Sequence, residues 1–210
     1  MKQINTQLYF ITDSTNYTEE EFLFRVEEAL KGGVTLLQLR EKEKPTREYI
    51  SLAEKVHALP LAYQVPLIID DRVDVALAIH AEGVHVGQTD MPVSTARKLM
   101  GADKIIGATA KTVEQAKTAY EQGADYLGVG AIYPTTTKVK TVLTSVETLT
   151  EICHAVPIPV NAIGGLNKDN IHVLNGIPIS GICGVSAIMK AENVKSATAA
   201  LLARTKEMMI

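Results

Sequence analysis

The chain has 210 residues, of which 46% are hydrophobic and 21% charged, with a formal net charge of -3. That length and balance suit one folded domain with a sizeable core, and they give no whole-molecule attraction to nucleic acid or to an anionic membrane. The two cysteines, Cys153 and Cys183, are too few and too far apart for a disulfide framework or a zinc site, and they read as small buried apolar side chains.

The N-terminus is polar and reads as no signal peptide. No apolar run approaches the ~20 residues that span a bilayer, so the expected location is the cytoplasm. In chain order, a short apolar strand is predicted at 8–11. A helix follows at 19–30, with Phe22, Val26, Ala29 and Leu30 at helical spacing. A strand at 35–39 leads to a helix at 46–58, which starts after Pro45 as first helical turns often do. Strands follow at 67–69, 83–86 and 105–107. A helix at 112–121 opens with Thr112 and Gln115 at capping-box spacing. Strands at 126–129, 160–163 and 181–185 precede a closing amphipathic helix at 193–208.

The strands are short and apolar on both alternations, as strands covered on both faces are. They recur every 20–30 residues or so, with helix-period segments between them. Eight such units favour a single compact (β/α)8 TIM barrel spanning 1–210, in the α/β class, over a doubly wound open sheet.

In such barrels function sits at the C-terminal ends of the strands, and here those ends are polar. Strand two runs into Gln38, Leu39, Arg40, Glu41 and Lys42, and strand three ends in Asp70 and Asp71. Strand four runs to Asp90, strand five to Thr109, and strand six to Thr135, Thr136, Thr137 and Lys138. Strand seven ends in Gly164 and Gly165, and strand eight in Val185 and Ser186. Asp71 and Asp90, at neighbouring strand ends, suit a hard divalent cation that shares oxygens with a substrate phosphate; the alternative is that each caps a helix or pairs with Arg72. Arg40 and Lys42 share one parity and can hold phosphate, or else form a surface salt-bridge cluster with Glu41 and Glu43. The three threonine hydroxyls beside Lys138 suit phosphate, as do the glycine backbone and Ser186 after strands seven and eight. Of the five histidines, His57 and His154 read as helix-surface residues and His85 as packed inside the barrel; none is assigned a catalytic role.

Segments LQLREK (37–42), LIIDDRVDVALAIHAEGVHVGQ (67–88), GVGAIYPTTTK (128–138), AIGGL (162–166) and VSAI (185–188) occur in this order. Together they closely resemble the thiamine-phosphate synthase (pyrophosphorylase) family. The resemblance implies a transferase of thiamine biosynthesis that joins 4-amino-2-methyl-5-(diphosphooxymethyl)pyrimidine to a 4-methyl-5-(2-phosphooxyethyl)thiazole, or its carboxylated form, in a dissociative substitution assisted by Mg2+. It implies that Gln38, Leu39, Arg40, Glu41, Lys42, Asp70, Thr109 and Lys138 bind the pyrimidine pyrophosphate, with Arg40, Lys42 and Lys138 acting on the leaving group. Thr135, Thr136, Thr137, Gly165, Val185 and Ser186 would bind the thiazole phosphate, and Asp71 and Asp90 would hold Mg2+. Small-molecule substrates, no nucleic acid and no membrane are the expected partners, with a homo-oligomer left open. Two positions depart from the family pattern: Asp70 stands where Asn is usual, and Thr109 where Ser is usual. The rival functions are a thiazole tautomerase-like isomerase, which needs no pyrophosphate apparatus, and a non-catalytic binder of phosphate ligands.

Overall fold

The computed structural model describes residues 4–135 and 142–209. Its eight strands are β1 (Leu8–Ile11), β2 (Leu36–Leu39), β3 (Leu67–Asp70), β4 (Gly83–Val86), β5 (Ile105–Ala110), β6 (Tyr126–Gly130), β7 (Val160–Ile163) and β8 (Gly181–Gly184). All neighbours pair parallel, and β8 returns to β1 through Leu8↔Ile182 and Tyr9↔Cys183, which closes the barrel. Closure leaves no strand edge unpaired.

Every strand is buried because each of its two faces has a partner. Outward side chains such as Phe10, Leu37, Leu39, Ile69, Val84 and Leu127 pack in one cluster with Phe22, Val26, Leu52 and Leu149 of the surrounding helices. Inward side chains form a second cluster of Tyr9, Ile11, Leu36, Ile68, Ile105, Tyr126 and Cys183. The two-residue period of a strand divides the residues between these clusters, so both alternations had to be apolar.

The helices are α1 (Glu19–Lys31), α2 (Thr46–Leu61), α3 (Val73–Ala78), α4 (Val93–Met100), α5 (Val113–Glu121), α6 (Val146–Ala155), α7 (Ser186–Met189) and α8 (Val194–Met208). Helix α1 starts at a complete capping box: the Glu21 amide donates to the Thr18 hydroxyl at 3.3 Å, and the Thr18 amide donates to the Glu21 carboxylate at 3.1 Å. At α5 the Gln115 amide donates to the Thr112 hydroxyl at 3.2 Å, but the Gln115 side-chain oxygen accepts from the Lys111 amide at 2.8 Å rather than from Thr112. The box is therefore displaced by one residue. Helix α2 runs past 58 to Leu61, with Pro60 in its last turn. After β7 the expected helix shrinks to a 3-10 turn, Ile171–Leu174. Gly176, at φ 79°, and Pro178 follow at once, and Pro cannot continue a helix.

The described residues contain no helix long and apolar enough to cross a membrane. Cys183 is buried inside the barrel and Cys153 is half-buried on α6, both free.

Candidate active site

The C-terminal ends of the strands surround one pocket of about 1150 Å3, counting its open mouth. Gln38, Arg40, Lys42, Asp70, Asp71, Asp90, Thr109, Thr135, Gly165, Val185 and Ser186 all line it. Leu39 and Glu41 have the opposite parity, and their side chains are not part of the pocket. Leu39 packs among the helices, while a Glu41 carboxylate oxygen accepts from the Ser14 hydroxyl at 2.9 Å and lies 3.7 Å from Lys44 Nζ. Thr136, Thr137 and Lys138 lie outside the described residues.

The charged side of the pocket is built on β2, β3 and the segment after β4. Lys42 Nζ is 2.6 Å from Asp70 Oδ2 and also pairs with Asp71 Oδ2, while Arg40 Nε stands 3.9 Å from Asp70. Arg40 and Lys42 thus project to one side and meet Asp70 and Asp71 rather than Glu41 and Glu43. Asp70 is 7% exposed. Burial raises its pKa, and the Lys42 and Arg40 charges counteract only part of that rise. Burial pulls Lys42 down, but Asp70 and Asp71 outweigh it and leave the ammonium held above its ordinary pKa.

Asp71 occupies the left-handed region at φ 58°. Asp visits that region more readily than most residues because its short side chain can bond locally. Its amide donates to the His85 carbonyl at 2.8 Å. Asp90 accepts from the Gly87 amide at 2.8 Å. Burial raises the Asp90 pKa, and a hydrogen bond with Asp71 raises it further. Two carboxylates therefore converge on one point across neighbouring strand ends. Arg72 is turned elsewhere, to Asp74 at 2.5 Å and the Thr46 hydroxyl at 2.8 Å, so it does not pair with either of them. Among the described residues no group of three or more His, Cys, Asp or Glu side chains gathers as a metal site.

Among the described residues, the rim formed after β6, β7 and β8 carries no charged side chain in the pocket lining. Gly164 and Gly165 have φ of 104° and 65°, values that other L-residues adopt only with strain. A Cβ on Gly165 would also lie 2.7 Å from Tyr133 Cβ and 2.9 Å from the Pro134 carbonyl oxygen. The chain can pass there only as glycine. Val185 and Ser186 follow β8, and Thr135 follows β6.

The floor adds Tyr9, Tyr126 and His85, which have no functional role in the sequence reading. Gln38 Nε2 donates to the Tyr9 hydroxyl at 2.5 Å, and Tyr9 and Tyr126 share a 2.7 Å hydrogen bond. His85 Nδ1 lies 3.1 Å from the Tyr126 hydroxyl, and its Nε2 lies 3.0 Å from the Thr109 hydroxyl. Burial depresses the His85 pKa to about 4, helped by the Lys42 charge, so the ring is neutral near pH 7. Gly107 makes room for this group: a Cβ there would collide with the Tyr126 ring and come 2.5 Å from His85 Nδ1. His85 is thus inside the barrel as its alternation implied, and exposed His154 is on a helix surface; His57 is half-buried, 3.1 Å from Glu82. Lys111 also lines the pocket, two residues beyond Thr109. Its parity with Thr109 was the available signal.

Residues 8–188 match the family model described as thiamine monophosphate synthase. A thiamine-phosphate synthase of Methanobrevibacter smithii is 49% identical over 206 residues, 98% of each chain. Thiamine-phosphate synthase 2 of Streptococcus pneumoniae is 50% identical over 196 residues, 93% of each. Among solved structures, a thiamine phosphate pyrophosphorylase from Pyrococcus furiosus superimposes with a TM-score of 0.87 at 40% identity, covering 97% of both chains. A geranylgeranylglyceryl phosphate synthase from Thermoplasma acidophilum, at TM-score 0.69 and 13% identity over 96% of this chain and 93% of its own, shares the barrel alone. Full-length identity near one half, together with the matched model, means that the chain belongs to the thiamine monophosphate synthase family.

Proposed function

We propose that this chain condenses 4-amino-2-methyl-5-(diphosphooxymethyl)pyrimidine with the phosphorylated thiazole to give thiamine phosphate and pyrophosphate. The observation that carries this reading is the division of one pocket into a charged side and a glycine-serine rim, in a chain of this family. Arg40, Lys42, Asp71 and Asp90 suit the diphosphate end, and Thr135, Gly165, Val185 and Ser186 suit the lone phosphate of the second substrate. Thr136, Thr137 and Lys138 are assigned to the same two subsites by family resemblance.

The reaction breaks the bond from the pyrimidine methylene carbon to the diphosphate oxygen, and the electron pair leaves with the diphosphate. The aminopyrimidine ring stabilises the resulting cation, and the thiazole nitrogen lone pair forms the new carbon–nitrogen bond. No protein nucleophile is needed. Arg40 and Lys42 would oppose the charge that develops on the leaving oxygens, a role worth about 10²–10³ in rate for a well-placed donor. The pocket walls would hold both reactants at reacting distance. Lys42 is already aligned by Asp70 and Asp71, so its ammonium needs little reorganisation.

The converging carboxylates Asp71 and Asp90 fit Mg2+, which is often bound by one or two protein carboxylates and completes its shell with water and substrate phosphate. Mg2+ held there would neutralise charge on the diphosphate. A tautomerase would have no use for a paired cation and carboxylate cluster of this kind, so the isomerase reading is the weaker one.

The test is formation of thiamine phosphate from the two substrates with Mg2+, by wild type beside Asp70→Asn. Product from wild type supports the reading; folded protein that makes none at high enzyme concentration refutes it. A large gain in Asp70→Asn would identify Asp70 as a handicap, and equal rates would identify Lys42 and Arg40 as its compensation.

A further inference from the structure

We propose that a buried hydrogen-bond relay, Gln38–Tyr9–Tyr126–His85–Thr109, imposes opposite hydrogen-bonding polarity on its two pocket-facing ends and so selects a 4-aminopyrimidine over its 4-oxo counterpart. The proposal rests on the function given above and names the positioning residues behind it: Tyr9, Tyr126 and His85.

The relay is continuous. Its four links are 2.5, 2.7, 3.1 and 3.0 Å long. It crosses the inside of the barrel from β2 through β1, β6 and β4 to β5. Tyr9 and Tyr126 are wholly buried, and Gln38 and His85 are 2% and 7% exposed. Water therefore cannot easily substitute for a missing partner, and each unmade hydrogen bond would leave a costly buried polar group. The site is built to hold this group, because Gly107 leaves the space that the Tyr126 ring and His85 occupy.

A continuous relay has only two self-consistent directions. With the Gln38 amide nitrogen donating to Tyr9, the Tyr9 hydroxyl must donate to Tyr126, and Tyr126 to His85 Nδ1. A neutral imidazole that accepts at one nitrogen donates at the other, so His85 Nε2–H donates to Thr109 Oγ1. The Thr109 hydroxyl proton is then free to donate into the pocket, and Gln38 presents its carbonyl oxygen there as an acceptor. In the reverse direction both ends exchange roles together. One end accepts and the other donates in either case, and the described direction places the acceptor on Gln38.

An acceptor paired with a donor matches a pyrimidine edge that carries an amino group beside an unprotonated ring nitrogen. The 4-oxo ring carries an acceptor oxygen beside a ring N–H, the inverse pattern. To accept it, the Gln38 amide would have to turn over and every proton in the relay would have to move. Sites that hydrogen-bond a substrate group discriminate strongly because a mismatch leaves buried partners unpaired.

Titration calorimetry with the 4-amino pyrimidine diphosphate and its 4-oxo analogue gives the ratio of their Kd values for wild type, Tyr126→Phe and Tyr9→Phe. Wild type should prefer the amino compound by about a hundredfold, and each Phe variant should reduce that ratio by about tenfold or more. Binding of inorganic pyrophosphate should not change, as it would if the substitutions merely loosened the site. A ratio preserved in a folded Phe variant overturns the proposal. Should neither variant fold, nitrogen-15 NMR of wild-type His85 decides: a neutral ring protonated on Nε2 supports the relay, and one protonated on Nδ1 overturns its assigned direction. These readouts are independent of turnover, so absence of thiamine phosphate synthesis would refute the proposed function while still reporting on the relay.

Discussion

Replacing Gly107 by Ala isolates the packing that supports the pocket floor. Gly107 lies in β5 with an ordinary strand backbone, so the added methyl causes no φ strain. In an unobstructed strand Ala would gain roughly 0.5–1 kcal/mol over Gly by restricting the unfolded chain. Here the new Cβ would overlap the Tyr126 ring and sit 2.5 Å from His85 Nδ1. Both neighbours are buried and hydrogen-bonded, so neither can swing aside into solvent. Overpacking of this kind costs about 1–3 kcal/mol, so the net loss lies within about 0–2.5 kcal/mol, and overlap with two buried side chains puts it in the upper part of that range, about 1–2 kcal/mol. For a chain of this length the expected fall in Tm is roughly 2–8 °C, read by thermal denaturation followed by circular dichroism. Pairing Gly107→Ala with Tyr126→Leu should recover part of the loss, because the two changes share one space, with a coupling of about 0.5–3 kcal/mol. A Gly107→Ala protein as stable as wild type, or strict additivity in the double variant, would refute the steric account.

Three further outcomes are expected. Lys42→Met removes the ammonium between Asp70 and Asp71; kcat/KM for thiamine phosphate synthesis should fall about 10²–10³-fold, and a loss under tenfold would remove Lys42 from the charge-neutralising role. His85 has its folded pKa depressed by burial to about 4 from 6.5, so the unfolded chain binds the proton more readily. The stability of wild type relative to His85→Gln should be greatest above pH 6.5 and decline as pH falls toward 4, by up to about 3 kcal/mol; urea titrations that show the same pH slope for both proteins would contradict it. Thr18→Ala breaks the capping box of α1 and should cost about 1 kcal/mol, seen as a Tm lower by roughly 2–4 °C; an unchanged Tm would mean that the box contributes nothing.

Much of the fold was legible because burial on both faces forces short strands to be apolar throughout. The eight predicted strands all exist, with ends shifted by up to three residues, as where β5 continues to Ala110. The missing helix after β7 was not legible, since Ile171 and Leu174 have helical spacing but stop at Gly176. Parity placed Gln38, Arg40 and Lys42 together, and by the same rule it turned the side chains of Leu39 and Glu41 away. The strand-end location of Asp71 and Asp90 could be read from the chain, but their convergence depends on the left-handed turn at Asp71. The partner of Asp70 was equally hidden, because Lys42 is 28 residues earlier in the sequence and adjacent only across β2 and β3.

The amino-acid sequence by itself determined the barrel, the rim on which the polar residues gather and the family to which those segments point. These are properties of local periodicity and ordered motifs, which need no contact between distant residues. Only the tertiary structure decided what lies beneath that rim. Tyr9, Gln38, His85, Thr109 and Tyr126 come from five different strands and meet only because the sheet closes on itself. No spacing along a chain encodes a hydrogen bond between strands that face each other across a closed barrel.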